Sequence, residues 1–117
     1  MTFDEKKALS ITNHKSAFLF FVRKKLFKPV YVGKISKFTG YQTILLLKTK
    51  GYESFDLDIE IIEGEATMLL IQNKQYHIMA EETCKKSMNF DIEPGWIRIR
   101  LIGQRAKVKF NLTRYIK

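Results

Sequence analysis

Trp96, Arg98, Arg100, Arg105, Lys107 and Lys109 fall within one stretch of the chain, at alternate positions on either side of Gly103-Gln104. Alternate residues of an extended strand share a face. The spacing therefore displays a row of cations beside the only tryptophan. The chemistry open to such a row is non-covalent: charge-assisted contact with phosphate, sulfate or carboxylate groups, with the indole as a stacking platform. These six are the candidate binding residues.

Other reactive residue types are present but not grouped in a way that points to catalysis. His14 and His77 have no companion His or Cys at metal-ligand spacing, so neither a metal nor a cofactor is expected. Cys84, the only cysteine, lies among Glu81, Glu82, Lys85 and Lys86 without a nucleophile signature, and it rules out an internal disulfide. Glu60, Glu63, Glu65, Glu81 and Glu82 are numerous enough for acid–base work, but they cluster at turns, where solvated acids are ordinary. The six glycines are scattered singly, so no phosphate-cradling loop is formed.

The charge is unevenly distributed. Residues 1–50 carry eleven Lys and Arg against two acids, residues 51–95 three against ten, and residues 96–117 seven against none. In the acidic block, the stretch at 54–62 alternates Phe55, Leu57, Ile59 and Ile61 with Asp56, Asp58 and Glu60. If that strand lies beside residues 105–113, its carboxylates interleave with Lys107 and Lys109 and the cation row is neutralised rather than displayed.

These residues must be positioned by a mainly β scaffold. The 117 residues suffice for one core, and the nine Phe, five Tyr and one Trp favour strands. Strands are expected near 30–36, 42–49, 54–62, 66–72, 75–80, 88–92, 96–102 and 105–113. Breaks are expected at Thr39-Gly40, Lys50-Gly51, Glu63-Gly64, Asn73-Lys74, Pro94-Gly95 and Gly103-Gln104. A two-residue loop at 103–104 would make 96–113 a hairpin, with 100 opposite 107 and 98 opposite 109, so that cation faces cation. Eight short strands with tight turns suggest an antiparallel two-sheet sandwich of jelly-roll or immunoglobulin-like kind.

The N-terminal part reads less clearly. Thr2 and Glu5 have the spacing of a capping box, which suggests a short helix to about Leu9. Residues 17–22 fit a strand, or an amphipathic helix to about Phe27 that Pro29 would end. The runs at 44–47 and 67–71 are apolar on both faces, as in strands covered on both sides. Residues 1–28 are therefore expected to pack over the outside of one sheet of a single domain spanning 1–117, unless a second subunit does so.

The longest early apolar run, Ala17 to Val22, is too short to cross a membrane, and Asp4 and Glu5 stand where a signal peptide is basic. A cytoplasmic location is the resulting expectation. The function expected is that of a non-enzymatic binding or interaction module, using the basic hairpin to contact another protein or a polyanionic glycan. A nucleic-acid-binding β domain is the alternative, a small hydrolase follows it, and a homo-oligomer is compatible with each.

Overall fold

The computed structural model describes residues 3–10, 14–16, 19–24 and 29–115, with the backbone only for 14–16 and 19–24. After a short helix, α1 (Glu5–Leu9), the described chain forms seven strands: β1 (His14–Ser16), β2 (Leu19–Lys24), β3 (Val30–Thr49), β4 (Tyr52–Gln72), β5 (Gln75–Ala80), β6 (Cys84–Asp91) and β7 (Gly95–Tyr115). All pair antiparallel in one sheet of order β1-β3-β7-β4-β5, with β2 also on β3 and β6 also on β4.

The pairing thus gives one continuous sheet where two separate sheets were expected. The difference arises at three breaks. Thr39-Gly40, Glu63-Gly64 and Gly103-Gln104 are not chain reversals but irregular points inside β3, β4 and β7. The supposed 96–113 hairpin is a single strand, so 98 does not oppose 109 and 100 does not oppose 107. The breaks at Lys50-Gly51 and Asn73-Lys74 do reverse the chain, and Pro94-Gly95 separates β6 from β7.

Length explains why the long strands bend. A straight strand of 21 residues would span about 70 Å, whereas the molecule's largest extent is 36 Å. Register shifts cluster between Ile35 and Gly40 in β3 and between Ile61 and Glu65 in β4, with one more in each strand, at Thr43–Leu45 and at Met68–Leu69. At the same level Lys37, Gly64 and Arg105 take left-handed φ of 53°, 71° and 50°. An extra residue at a bulge bends a strand and shifts its in–out alternation by one, so that β4 turns Phe55, Leu57 and Ile59 inward before the bend and Ala66, Met68 and Leu70 after it.

Glycine is required at Gly64, because a Cβ there would lie 2.2 Å from the Arg105 carbonyl oxygen. Nearby, the Arg105 amide donates to Thr39 Oγ1 at 3.0 Å. The sheet doubles over along this line, and its inner faces share one buried cluster. Ile35, Phe55, Leu57, Ile59, Val108 and Leu112 come from one half; Met68, Leu70, Met79, Ile97, Ile99 and Leu101 come from the other.

Outside the second half lies α1. Five residues are too few for a helix to persist alone, and tertiary contacts supply the rest. Asp4, not Thr2, is the cap and accepts from the amides of Lys6 and Lys7; Thr2 lies outside the described residues. Ala8 is buried on Leu69, Ile71 and Ile102, with Phe3, Tyr41 and Tyr76 around it. Leu69 and Ile71 of the doubly apolar run at 67–71 are therefore covered by residues 3–10, whereas Leu46 in the run at 44–47 stands exposed. Residues 14–16 and 19–24, by contrast, belong to the sheet as edge strands on β3 and do not cover it. The strand option for 17–22 holds for Leu19 onward; residues 17–18 and 25–28 lie outside the described residues.

Candidate interaction surface

The six candidate residues share one strand but not one surface, because the bend in β7 sends them to the outer faces of different halves. Arg105, Lys107 and Lys109 are exposed on the first half and at the bend. Lys109 stands between Lys34 of β3 and Glu60 of β4, and Lys107 stands opposite Glu63. The acidic strand does lie beside the basic one, with opposite charges at neighbouring ladder positions. Further along, Asp58 pairs with exposed Lys85 at 3.6 Å. Asp56 accepts from the hydroxyls of Ser87 and Tyr115, and these two bonds hold its carboxyl below the ordinary aspartate value.

Arg98 and Arg100 lie on the second half, beneath α1. Arg98 donates from Nη1 to the Ser10 carbonyl at 2.7 Å and from Nη2 to the Leu9 carbonyl at 2.8 Å. Arg100 is fully buried and donates to the Lys7 carbonyl at 3.1 Å and to Thr43 Oγ1 at 2.8 Å. Burial pulls both guanidinium groups below the ordinary arginine value, and for Arg100 the neighbouring Arg98 charge adds to the effect. The end of a helix leaves carbonyls without partners, and cations placed there satisfy them. These two arginines hold the N-terminal segment in place.

Trp96 is what the second half leaves open. The side chain is 60% exposed and stands directly opposite Lys48 of β3, whose Nζ is 6.0 Å from the ring centroid. Leu46, opposite Arg98, is also 60% exposed. On a sheet face Leu46 and Lys48 are side by side, and Leu46 is the diagonal neighbour of Trp96. Leu46 and Lys48 were not among the candidates, because ladder position is set by the pairing of β3 with β7, which sequence alternation within one strand does not reveal.

The other reactive types are dispersed. The ring of His77 packs 5.6 Å from that of Phe90, across the gap between β5 and β6. At one end of this gap the Gln72 side chain donates to the Glu93 carbonyl and accepts from its amide, beside an open hollow of about 750 Å³ lined also by His77 and Asp91. At the other end Glu81, Glu82, Cys84 and Lys86 line a second open hollow. His14 has no described side chain. No helix among the described residues is long and apolar enough to cross a membrane.

No family model matches the chain, and no curated protein matches it. Solved structures with some likeness include Drosophila melanogaster CENP-C bound to CAL1, at 12% identity over 83% of this chain and 79% of that one, with a TM-score of 0.43. A family 29 carbohydrate-binding module complexed with mannohexaose shares 12% identity over 88% of this chain and 79% of that one, with a TM-score of 0.42. A Vibrio parahaemolyticus protein of unknown function, VPA0057, shares 9% over 86% of this chain and 97% of that one, with a TM-score of 0.35.

Proposed function

We propose that this chain is a non-catalytic binding module that engages another protein through the outer face of the second half of its sheet, with Trp96 as anchor and Leu46 and Lys48 beside it. The observation that carries the reading is the exposure of Trp96. Tryptophan is highly buried on average, and Trp96 instead stands 60% exposed next to an equally exposed Leu46, where β3 and β7 pair with one another. A large aromatic on a rigid element is the type of residue that dominates protein interfaces. Lys48 over the ring favours a partner that brings a carboxylate beside an apolar group.

A polyanionic glycan or nucleic acid is less well supported than a protein partner. Lys107 and Lys109 stand against Glu63 and Glu60, and Arg98 and Arg100 are committed to the end of α1. Within the candidate row, that leaves Arg105 as the exposed cation set against no carboxylate in the ladder.

The test compares captured partners quantitatively, using the chain itself, Trp96→Ala, Leu46→Ser and a triple Arg105→Ala, Lys107→Ala, Lys109→Ala variant. A specific partner should be lost from the first two variants and kept by the third. Retention by Trp96→Ala would refute the reading. Heparin or oligonucleotide binding that weakens with salt, and is lost in the triple variant, would restore the polyanion reading.

A further inference from the structure

Trp96, Arg98 and Arg100 follow one another on the outer face of β7, at alternate positions of the strand. Beside the two arginines, β4 brings Ile71 and Leu69, and β3 brings Leu46 and Thr43. The acceptors of Arg98 are the Ser10 and Leu9 carbonyls, and those of Arg100 include the Lys7 carbonyl and Thr43 Oγ1. All four are neutral groups. A buried charge is costly unless an opposite charge or good hydrogen bonds compensate it. Two adjacent guanidinium groups, one fully buried and one half-buried, are therefore a better match for carboxylates than for the carbonyls that now face them.

The cover over this pair is slight. Ala8 is the buried residue of α1, while Glu5, Lys6 and Lys7 are exposed. So short a helix does not persist by itself, and terminal segments with few buried apolar contacts open locally at little cost. Opening of α1 would uncover Arg98, Arg100, Leu69, Ile71 and Ile102 as a direct extension of the Trp96 surface. Hydrogen bonds between a guanidinium and a carboxylate are roughly twice as strong as those between neutral groups, and two oxygens can be engaged at once. The apolar residues beside the arginines suit a peptide that carries acids among apolar side chains, and not a fully hydrated polyanion.

We propose that α1 is a displaceable cover, and that a partner segment in which acidic and apolar residues alternate takes its place, with carboxylates on Arg98 and Arg100 and apolar side chains on Leu69, Ile71 and Leu46. The inference rests on the reading of Trp96 as the anchor of the same surface. In the closed chain the carbonyls at the end of α1 occupy the arginines in the partner's stead. Only the open fraction binds, so the stability of α1 sets the apparent affinity.

The probe is a synthetic peptide of alternating glutamate and leucine, with a glutamine-for-glutamate peptide as its control. In calorimetric titration up to about 1 mM, the glutamate peptide should bind the full chain, and the control should bind at least about tenfold more weakly. At saturation the Ala8 and Ser10 amides, which donate to the Asp4 and Lys7 carbonyls, should exchange faster. Arg98→Gln should weaken the glutamate peptide about tenfold, although it also loosens α1. Asp4→Ala removes the cap and should tighten peptide binding about fivefold. Asp4→Asn loses the same charge but keeps a capping oxygen, and should stay within about twofold of the unaltered chain. Absence of binding, unchanged Ala8 and Ser10 exchange, or equal affinities in the two Asp4 variants would each overturn the inference. Peptide binding that requires Trp96 yet leaves α1 in place overturns it and preserves the anchor reading, which fails instead if Trp96→Ala retains captured partners.

Discussion

Arg114 holds Glu53 at two points, Nε to Oε1 at 2.7 Å and Nη2 to Oε2 at 2.8 Å, and the same Nη2 donates to the Lys48 carbonyl at 2.6 Å. Glu53 is 3% exposed. Arg114 sits near the end of β7, Glu53 near the start of β4 and Lys48 near the end of β3, in the other half of the doubled sheet. One guanidinium therefore ties the two layers together at the end remote from the bend.

Removing one partner of a buried pair leaves a charge without compensation. Arg114→Ala should cost about 3–5 kcal/mol of unfolding free energy in urea denaturation. Replacing the pair by Glu53→Leu with Arg114→Met should recover most of it. Equal losses in the single and double variants would show that the pair is not the source.

The bend line makes opposite predictions for two of its residues. Gly64→Ala puts a methyl group into the Gln104–Arg105 backbone, and should cost about 3 kcal/mol or more. Arg105→Gly removes a side chain from a left-handed position and should stabilise by up to about 1 kcal/mol. Thermal or urea midpoints decide both. A destabilised Arg105→Gly would mean that its side chain, not its backbone, matters at the bend.

Arg98 and Arg100 should control the N-terminal segment. Arg98→Ala removes the guanidinium donors to the Leu9 and Ser10 carbonyls, and Arg100→Ala removes one of two donors to the Lys7 carbonyl; each should cost about 1–3 kcal/mol, with faster exchange of the Ala8 and Ser10 amides, which donate to the Asp4 and Lys7 carbonyls. Unchanged exchange in both variants would mean that apolar contact alone holds α1.

Asp56 gives a pH signature. Its carboxyl is lowered by Ser87 and Tyr115, so its contribution to stability is present above the unfolded value of 3.8 and lost as pH falls through the lower folded value. Tyr115 is raised by the same bond, so its contribution is present below the unfolded value of 10.0 and lost as pH rises through the folded one. Carboxyl titration by NMR should show the Asp56 midpoint rising towards 3.8 in Tyr115→Phe. An unmoved midpoint there and in Ser87→Ala would contradict the hydrogen-bond account.

Trp96, the sole tryptophan, reports on its own surface. Its emission should be red-shifted and readily quenched by iodide in the isolated protein, and blue-shifted when a partner binds. Trp96→Ala should change stability by no more than about 0.5 kcal/mol, as surface substitutions usually do. A large loss would place the indole in the core.

Much of the site was legible from alternation. Ile97, Ile99 and Leu101 lie inward with Ala106, Val108, Phe110 and Leu112, and the acidic strand does flank Lys107 and Lys109. Even the cover over Arg98 and Arg100 had a signal, since they share an outer face with Leu69 and Ile71, whose run was apolar on both sides. Glu53 and Arg114 extend the inward alternation of Phe55 and Leu112, which is where a buried pair could have been sought.

Side-chain alternation is a local property of an extended chain, and so the sequence by itself determined which residues of each strand point in, where the charges fall and which apolar runs need cover. Gly40, Gly64 and Gly103 mark irregular backbone with equal clarity. Whether such a point reverses the chain or only bends it depends on which distant strands hydrogen-bond alongside. That choice belongs to the tertiary structure: it joined six expected strands into β3, β4 and β7, turned a basic hairpin into one bent strand, and left Trp96 on a different face from Lys107 and Lys109.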